Sequence, residues 1–126
     1  MKNILIIDDQ ALLRRLVFDA LTRSYPQACV TQAENGRQAI ELMSSNRYDL
    51  VICDVVMPQV DGFEVLRWLR EESSQTEVPC VMLTGETRAD DIVNGWRLGA
   101  TSYVTKPFNV DTLIEAVEAY LTEAAA

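Results

Sequence analysis

Five runs of strand length punctuate the chain: Ile4 to Ile7, Ala28 to Ala33, Leu50 to Cys53, Cys80 to Leu83 and Thr101 to Thr105. The first, third and fourth contain no polar residue at all. Such strands have no face to give to water, so they suit a parallel sheet covered on both sides. Between the runs, apolar residues recur at helical spacing. Leu12, Leu13, Leu16, Val17, Ala20 and Leu21 predict a first helix that Tyr25-Pro26 ends. Ala39, Ile40, Leu42 and Met43 predict a second, after Gly36, and Phe63, Leu66 and Leu69 a third from about Gly62. The polar stretch from Glu72 to Glu77 is a loop, and Pro79 opens the fourth strand. Ile92, Val93 and Trp96 predict a fourth helix, weakened by Gly95, which costs about 1 kcal/mol relative to Ala inside a helix. Gly99 ends it as a left-handed cap. Asn109 caps a fifth, which carries Leu113, Ile114, Val117, Tyr120 and Leu121. Five strand–helix units predict an α/β fold, a parallel sheet wrapped by helices.

A chain of 126 residues makes one domain with one core, spanning 1–126, in which 122–126 read as the start of a linker or tail. With 19 acidic and 11 basic residues the net charge is −8, so direct nucleic-acid binding is not expected. Cys29, Cys53 and Cys80 lack metal-ligand spacing and sit among apolar neighbours, as reduced core thiols of a cytoplasmic protein do. Met1-Lys2-Asn3 runs straight into a strand, and no apolar run is long enough to span a bilayer, so no membrane segment is expected. Histidine is absent, which leaves carboxylates, Lys, Ser/Thr, Tyr and Cys for any chemistry.

The residues that stop the strands carry the chemistry. Asp8-Asp9 follows the first, Asp54 the third, Thr84-Gly85 the fourth and Lys106-Pro107 the fifth. In open α/β sheets, ligands bind at the carboxyl ends of the strands. Each residue also has a plainer reading. Asp8-Asp9 can cap a helix, Asp54 start a turn, Thr84 satisfy a loop amide and Lys106 pair with a carboxylate. Joint placement along one edge makes coincidence a poor account. Converging carboxylates stay ionised together only beside a cation. Oxygen donors without His or Cys select a hard ion, and a cage that leaves waters in place suits Mg²⁺ better than Ca²⁺.

Together, Ile6-Ile7-Asp8-Asp9, Asp54 with Met57-Pro58 and Asp61-Gly62, Thr84-Gly85, Gly99-Ala100, and Tyr103 followed by Lys106-Pro107-Phe108 resemble the receiver domain of two-component response regulators, of the chemotaxis-regulator kind. The likeness covers essentially the whole chain. It implies a flavodoxin-like, doubly wound five-stranded parallel sheet of order 2-1-3-4-5 with five helices. It implies a signalling domain rather than an enzyme with turnover, in which Asp54 accepts a phosphoryl group from a sensor histidine kinase or histidine phosphotransfer protein. Mg²⁺ would be held by Asp9 directly, by Asp8 mainly through a water, by Asp54 and by the backbone carbonyl of Val56. Lys106 would meet a phosphoryl oxygen, with Gly85 leaving room beside it. The Thr84 hydroxyl would follow the new oxygens and let Tyr103 turn inward. The face of helix 4, strand 5 and helix 5 would then change, contacting a downstream effector and pairing phosphorylated copies. Trp96 is a candidate contact on that side, and Trp68 a packing or surface residue. A cis Lys106-Pro107 bond is frequent in the family, and Val56 and Glu86 stand where its members tune phosphoryl lifetime.

Rival readings fare less well. A phosphatase of the haloacid dehalogenase type shares the Asp, Mg²⁺, Thr and Lys but wants a second Asp where this chain has Val56, and a cap domain. An FMN carrier needs a hydroxyl- or Gly-rich loop after strand one, and Asp8-Asp9-Gln10 has the wrong charge. A receiver that only docks and never takes phosphate stays open, since the motifs show competence rather than use.

Overall fold

The computed structural model describes residues 1–85 and 89–121. The strands are β1 (Asn3–Ile7), β2 (Cys29–Ala33), β3 (Leu50–Asp54), β4 (Cys80–Thr84) and β5 (Ser102–Thr105). The helices between and after them are α1 (Ala11–Ser24), α2 (Gly36–Ser45), α3 (Gly62–Glu71), α4 (Ala89–Leu98) and α5 (Val110–Leu121). All strand pairs are parallel, in the order β2-β1-β3-β4-β5. The expected fold, strand order and helix count are therefore met. Glu86 and the tail 122–126 lie outside the described residues.

The pleat divides the uniform apolar runs between two faces. Leu5, Ile7, Val51, Cys53, Cys80 and Met82 pack with Ala39 and Met43 of α2 and with Val65, Leu66 and Leu69 of α3. Ile4, Ile6, Leu50, Ile52, Val81 and Leu83 pack with Val17 and Leu21 of α1 and with Leu113, Val117 and Leu121 of α5. Burying each Val, Leu, Ile or Met among these contributes about 1.5–3 kcal/mol. The central strands are thus the stiffest part of the molecule, and their tips are the firmest places to mount a site. Asn109 caps α5 through the Thr112 N–H at 2.8 Å, and Gly99 takes φ 103°, as expected of a left-handed cap.

Three sequence expectations need correction. Leu12 is 89% and Leu16 48% exposed, because α1 leans on the sheet through buried Val17, Ala20 and Leu21 with Phe18 beside them. Cys29 lies exposed on edge strand β2, whereas Cys53 and Cys80 are core thiols. Gln75, placed in a polar loop, is buried. Its amide donates to the carbonyls of Met43 (2.8 Å) and Asn46 (2.6 Å) and accepts from the Tyr48 N–H (2.8 Å), closing off the end of α2. Among the described residues no helix is long and apolar enough to cross a membrane.

Gln59, exposed in the loop before α3, adopts φ 68°. A side chain in that left-handed region costs roughly 1–2 kcal/mol, part of which glycine returns through its floppier unfolded chain. Gln59→Gly is expected to stabilise the fold by about 0.5–1 kcal/mol, read as a higher urea midpoint at constant slope. A midpoint equal to or below that of the wild type would show that this turn is unstrained.

Candidate functional site

β1 and β3 are neighbours, with Ile7 opposite Cys53, so Asp8 and Asp54 leave adjacent strand tips. Both carboxylates are buried, while Asp9, one residue further on, is exposed. One carboxylate oxygen from each of Asp8, Asp9 and Asp54 lies within 4.8 Å of the other two. Lys106 reaches across from the end of β5, with Nζ 3.0 Å from Asp54 Oδ1 and 3.8 Å from Asp8 Oδ2. Its own N–H donates to the Thr84 carbonyl at 2.7 Å, and the Lys106-Pro107 bond is cis. Buried Thr84 ends β4, the strand beside Asp54, and the Cβ position of Gly85 faces open space. Val56 stands 64% exposed two residues after Asp54.

Local chemistry shapes the two loops. The Gln10 N–H donates to Asp8 Oδ1 at 2.9 Å, an Asx turn that bends the chain from β1 into α1. At the other loop, Asp61 caps α3 by accepting from the Glu64 N–H at 2.9 Å, with Glu64 reaching back to Asp61. The Gly62 N–H then donates to the Val55 carbonyl at 2.8 Å. A Cβ on Gly62 would overlap the Asp54 carbonyl oxygen, so only glycine lets α3 begin this close to Asp54.

Crowding shows in the electrostatics. Burial, and then the charges of Asp54 and Asp9, push the Asp8 carboxyl up to about 6, against the lowering pull of the Gln10 N–H and Lys106. Asp8 Oδ2 is buried with no hydrogen-bond partner among the described residues. A buried oxygen left so is costly, and a cation among the three carboxylates removes the cost. The donors are all oxygen, and the residues fit a hard ion such as Mg²⁺.

Tyr103 lies on α4. Its hydroxyl donates to the Ile92 carbonyl at 3.2 Å, and its ring meets Trp96 edge-on, with centroids 5.1 Å apart. The expected weak point of α4 here acquires a reason, because a Cβ on Gly95 would overlap the Tyr103 hydroxyl. Gly95 is a notch for that ring. Two arginines gave no sequence signal, since each occupies an ordinary polar position of its helix. Arg70 donates to the carbonyls of Gly99 (2.9 Å), Val78 (2.6 Å) and Thr76 (3.0 Å), tying the end of α4 to the loop before β4. Arg14 donates to the Asp8 carbonyl at 2.8 Å.

Folded protein holds the Asp8 proton up to about 6, whereas an ordinary carboxyl releases it near 3.8. Between these values the folded state binds more protons, so without divalent ions Asp8 makes stability fall as pH rises through that window. Asp8→Asn is expected to stabilise the metal-free protein at neutral pH by on the order of a few kcal/mol, and hardly at all near pH 4. Urea unfolding in chelator at the two pH values measures this, and equal effects would rule out Asp8 as the strained group. For the notch, Gly95→Ala should yield the about 1 kcal/mol of helix propensity only in a Tyr103→Ala background. A full gain with Tyr103 present would mean that the ring loses nothing when displaced.

Comparison with known proteins agrees with this architecture. Residues 4–118 match the family model of the response regulator receiver domain. The chain is 36% identical over 121 residues to YkoG of Bacillus subtilis (strain 168), described as an uncharacterized transcriptional regulatory protein, covering 96% of this chain and 51% of that one. It thus spans about half the length of that relative. It is 31% identical over 115 residues to the chemotaxis protein CheY of Bacillus subtilis (strain 168), covering 91% of this chain and 93% of that one. Against the solved chemotaxis response regulator CheY4 of Vibrio cholerae the TM-score is 0.88 at 34% identity, over 96% of this chain and 99% of that one. A parallel sheet of this order, three acidic residues at two strand tips and a lysine opposite them agree with the family match, and the chain belongs to the response regulator receiver domains.

Proposed function

We propose that residues 1–126 form a single phosphorylatable receiver domain of the cytosol, and that Asp54 takes the phosphoryl group. The observation that carries this reading is the gathering of Asp8, Asp9 and Asp54 within 4.8 Å, with Lys106 Nζ 3.0 Å from Asp54. The donor is a phosphohistidine on a sensor kinase or a histidine phosphotransfer protein. An Asp54 carboxylate oxygen attacks phosphorus, the P–N bond breaks, and the imidazole leaves with the electron pair. Asp8, Asp9, Asp54 and the carbonyl of Val56 would hold Mg²⁺, which when bound would supply charge neutralisation between two anions that otherwise repel. Lys106, already paired with Asp54, places its ammonium where a phosphoryl oxygen arrives. Gly85 adds no Cβ to obstruct that space.

The readout we propose passes from Thr84 to Tyr103 and from Tyr103 to α4. Contacts of Tyr103 with Ile92 and Trp96 support α4, β5 and α5 as the surface that meets an effector protein or domain, or a second copy. Half-exposed Val93 and Trp96 give that surface its apolar content.

With acetyl phosphate and Mg²⁺, the wild type is expected to gain one phosphoryl group by intact mass. Asp54→Asn should gain none, and Lys106→Met should slow the gain roughly a hundredfold, the usual loss for one charge-stabilising donor. A folded wild type that stays unmodified under these conditions would leave docking as the function.

A further inference from the structure

Arg14 has no part in the phosphoryl chemistry, yet it holds the backbone beneath it. Half-buried in the first turn of α1, it donates from Nη1 to the Asp8 carbonyl at 2.8 Å and from Nε to Gln32 Oε1 at 3.1 Å. Gln32 lies on edge strand β2, opposite Ile6. The bonded oxygen belongs to the peptide that joins Asp8 to Asp9. Its plane sets the direction in which the Asp9 side chain departs. Asp8 itself is fixed by burial and by the Gln10 N–H. Asp9 is exposed, and Gln10, the residue that caps α1, makes no side-chain capping bond. Arg14 therefore supplies the order that a helix cap supplies elsewhere.

We propose that Arg14, oriented by Gln32, is a positioning residue that aims Asp9 at the cation site. This rests on the reading that Asp8, Asp9 and Asp54 bind Mg²⁺. A planar guanidinium offers two donors in fixed relation, whereas a lysine ammonium is one flexible point charge. Arg14→Lys keeps the charge and loses the geometry.

The test is a Mg²⁺ titration of wild type, Arg14→Met, Arg14→Lys and Gln32→Ala, followed by the amide NMR shifts of Asp8, Asp9 and Asp54. Acetyl-phosphate labelling at graded Mg²⁺ runs beside it. Both Arg14 variants are expected to bind Mg²⁺ roughly tenfold more weakly, the usual loss when a group supporting a metal ligand is removed. Gln32→Ala should show a smaller loss. Labelling at saturating Mg²⁺ should return to the wild-type rate, because Arg14 touches no reacting atom. Wild-type affinity in Arg14→Lys or Arg14→Met would overturn the proposal, as would a labelling rate that saturating Mg²⁺ fails to restore. If Arg14→Met does not fold, Gln32→Ala on the half-exposed edge strand decides, and unchanged affinity there overturns it too. A wild type that binds no Mg²⁺ removes the cation site itself and Arg14's role with it, a result distinct from equal binding by all variants.

Discussion

Mutual repulsion among Asp8, Asp9 and Asp54 is the constraint around which the molecule is built. Three carboxylates within 4.8 Å of one another would drift apart on flexible loops. They are kept close because β1 and β3 pair through fully buried residues, so separating the tips would mean opening the core. Lys106 offsets part of the charge from one side, yet burial first, and then the charges of Asp54 and Asp9, still raise the Asp8 carboxyl. The folded sheet thus stores an electrostatic demand that only a cation meets in full.

The same economy of space governs what surrounds the acids. Gly62 lets α3 begin against the Asp54 carbonyl, and Gly95 lets α4 receive the Tyr103 hydroxyl. One glycine brings a helix close to the site, and the other brings a strand residue close to α4. Between them run β4 and β5, joined at their tips by the Lys106 N–H to the Thr84 carbonyl. Asp54 and α4 are thus linked through the paired strands β4 and β5 and the Tyr103 hydroxyl. That helix is held at its far end by Arg70, through Gly99, while its own apolar residues Val93 and Trp96 stay half-exposed. An element so lightly seated shifts more readily than the sheet it rests on.

Much of this was legible in the residue order because it depends on features only a few positions long. Runs such as Ile4 to Ile7 and Leu50 to Cys53 have no polar face, and the first polar residue after each run must lie at a strand tip. Turn and cap chemistry at Asn109, Gly99 and Asp61-Gly62 is equally local. The order of the strands, by contrast, was read from a family resemblance, since nothing within one strand names its neighbour.

By itself, then, the sequence determined the five strand–helix units, the acidic and basic strand ends, and the oxygen-only character of the donors, all of which follow from hydrophobic period and side-chain chemistry. Tertiary structure decided which groups are dry and which face each other. Asp8 and Asp9 are identical neighbours, yet one is buried and the other wet. Leu12 fits the helical stripe and still faces water, while polar Gln75 is interior because three backbone groups converge on its amide. Arg14 and Gly95 acquire their roles only from partners far along the chain, at Asp8, Gln32 and Tyr103. The physical reason is common to all of them: burial and contact depend on how helices lie against the sheet, a distance between elements that no local pattern encodes.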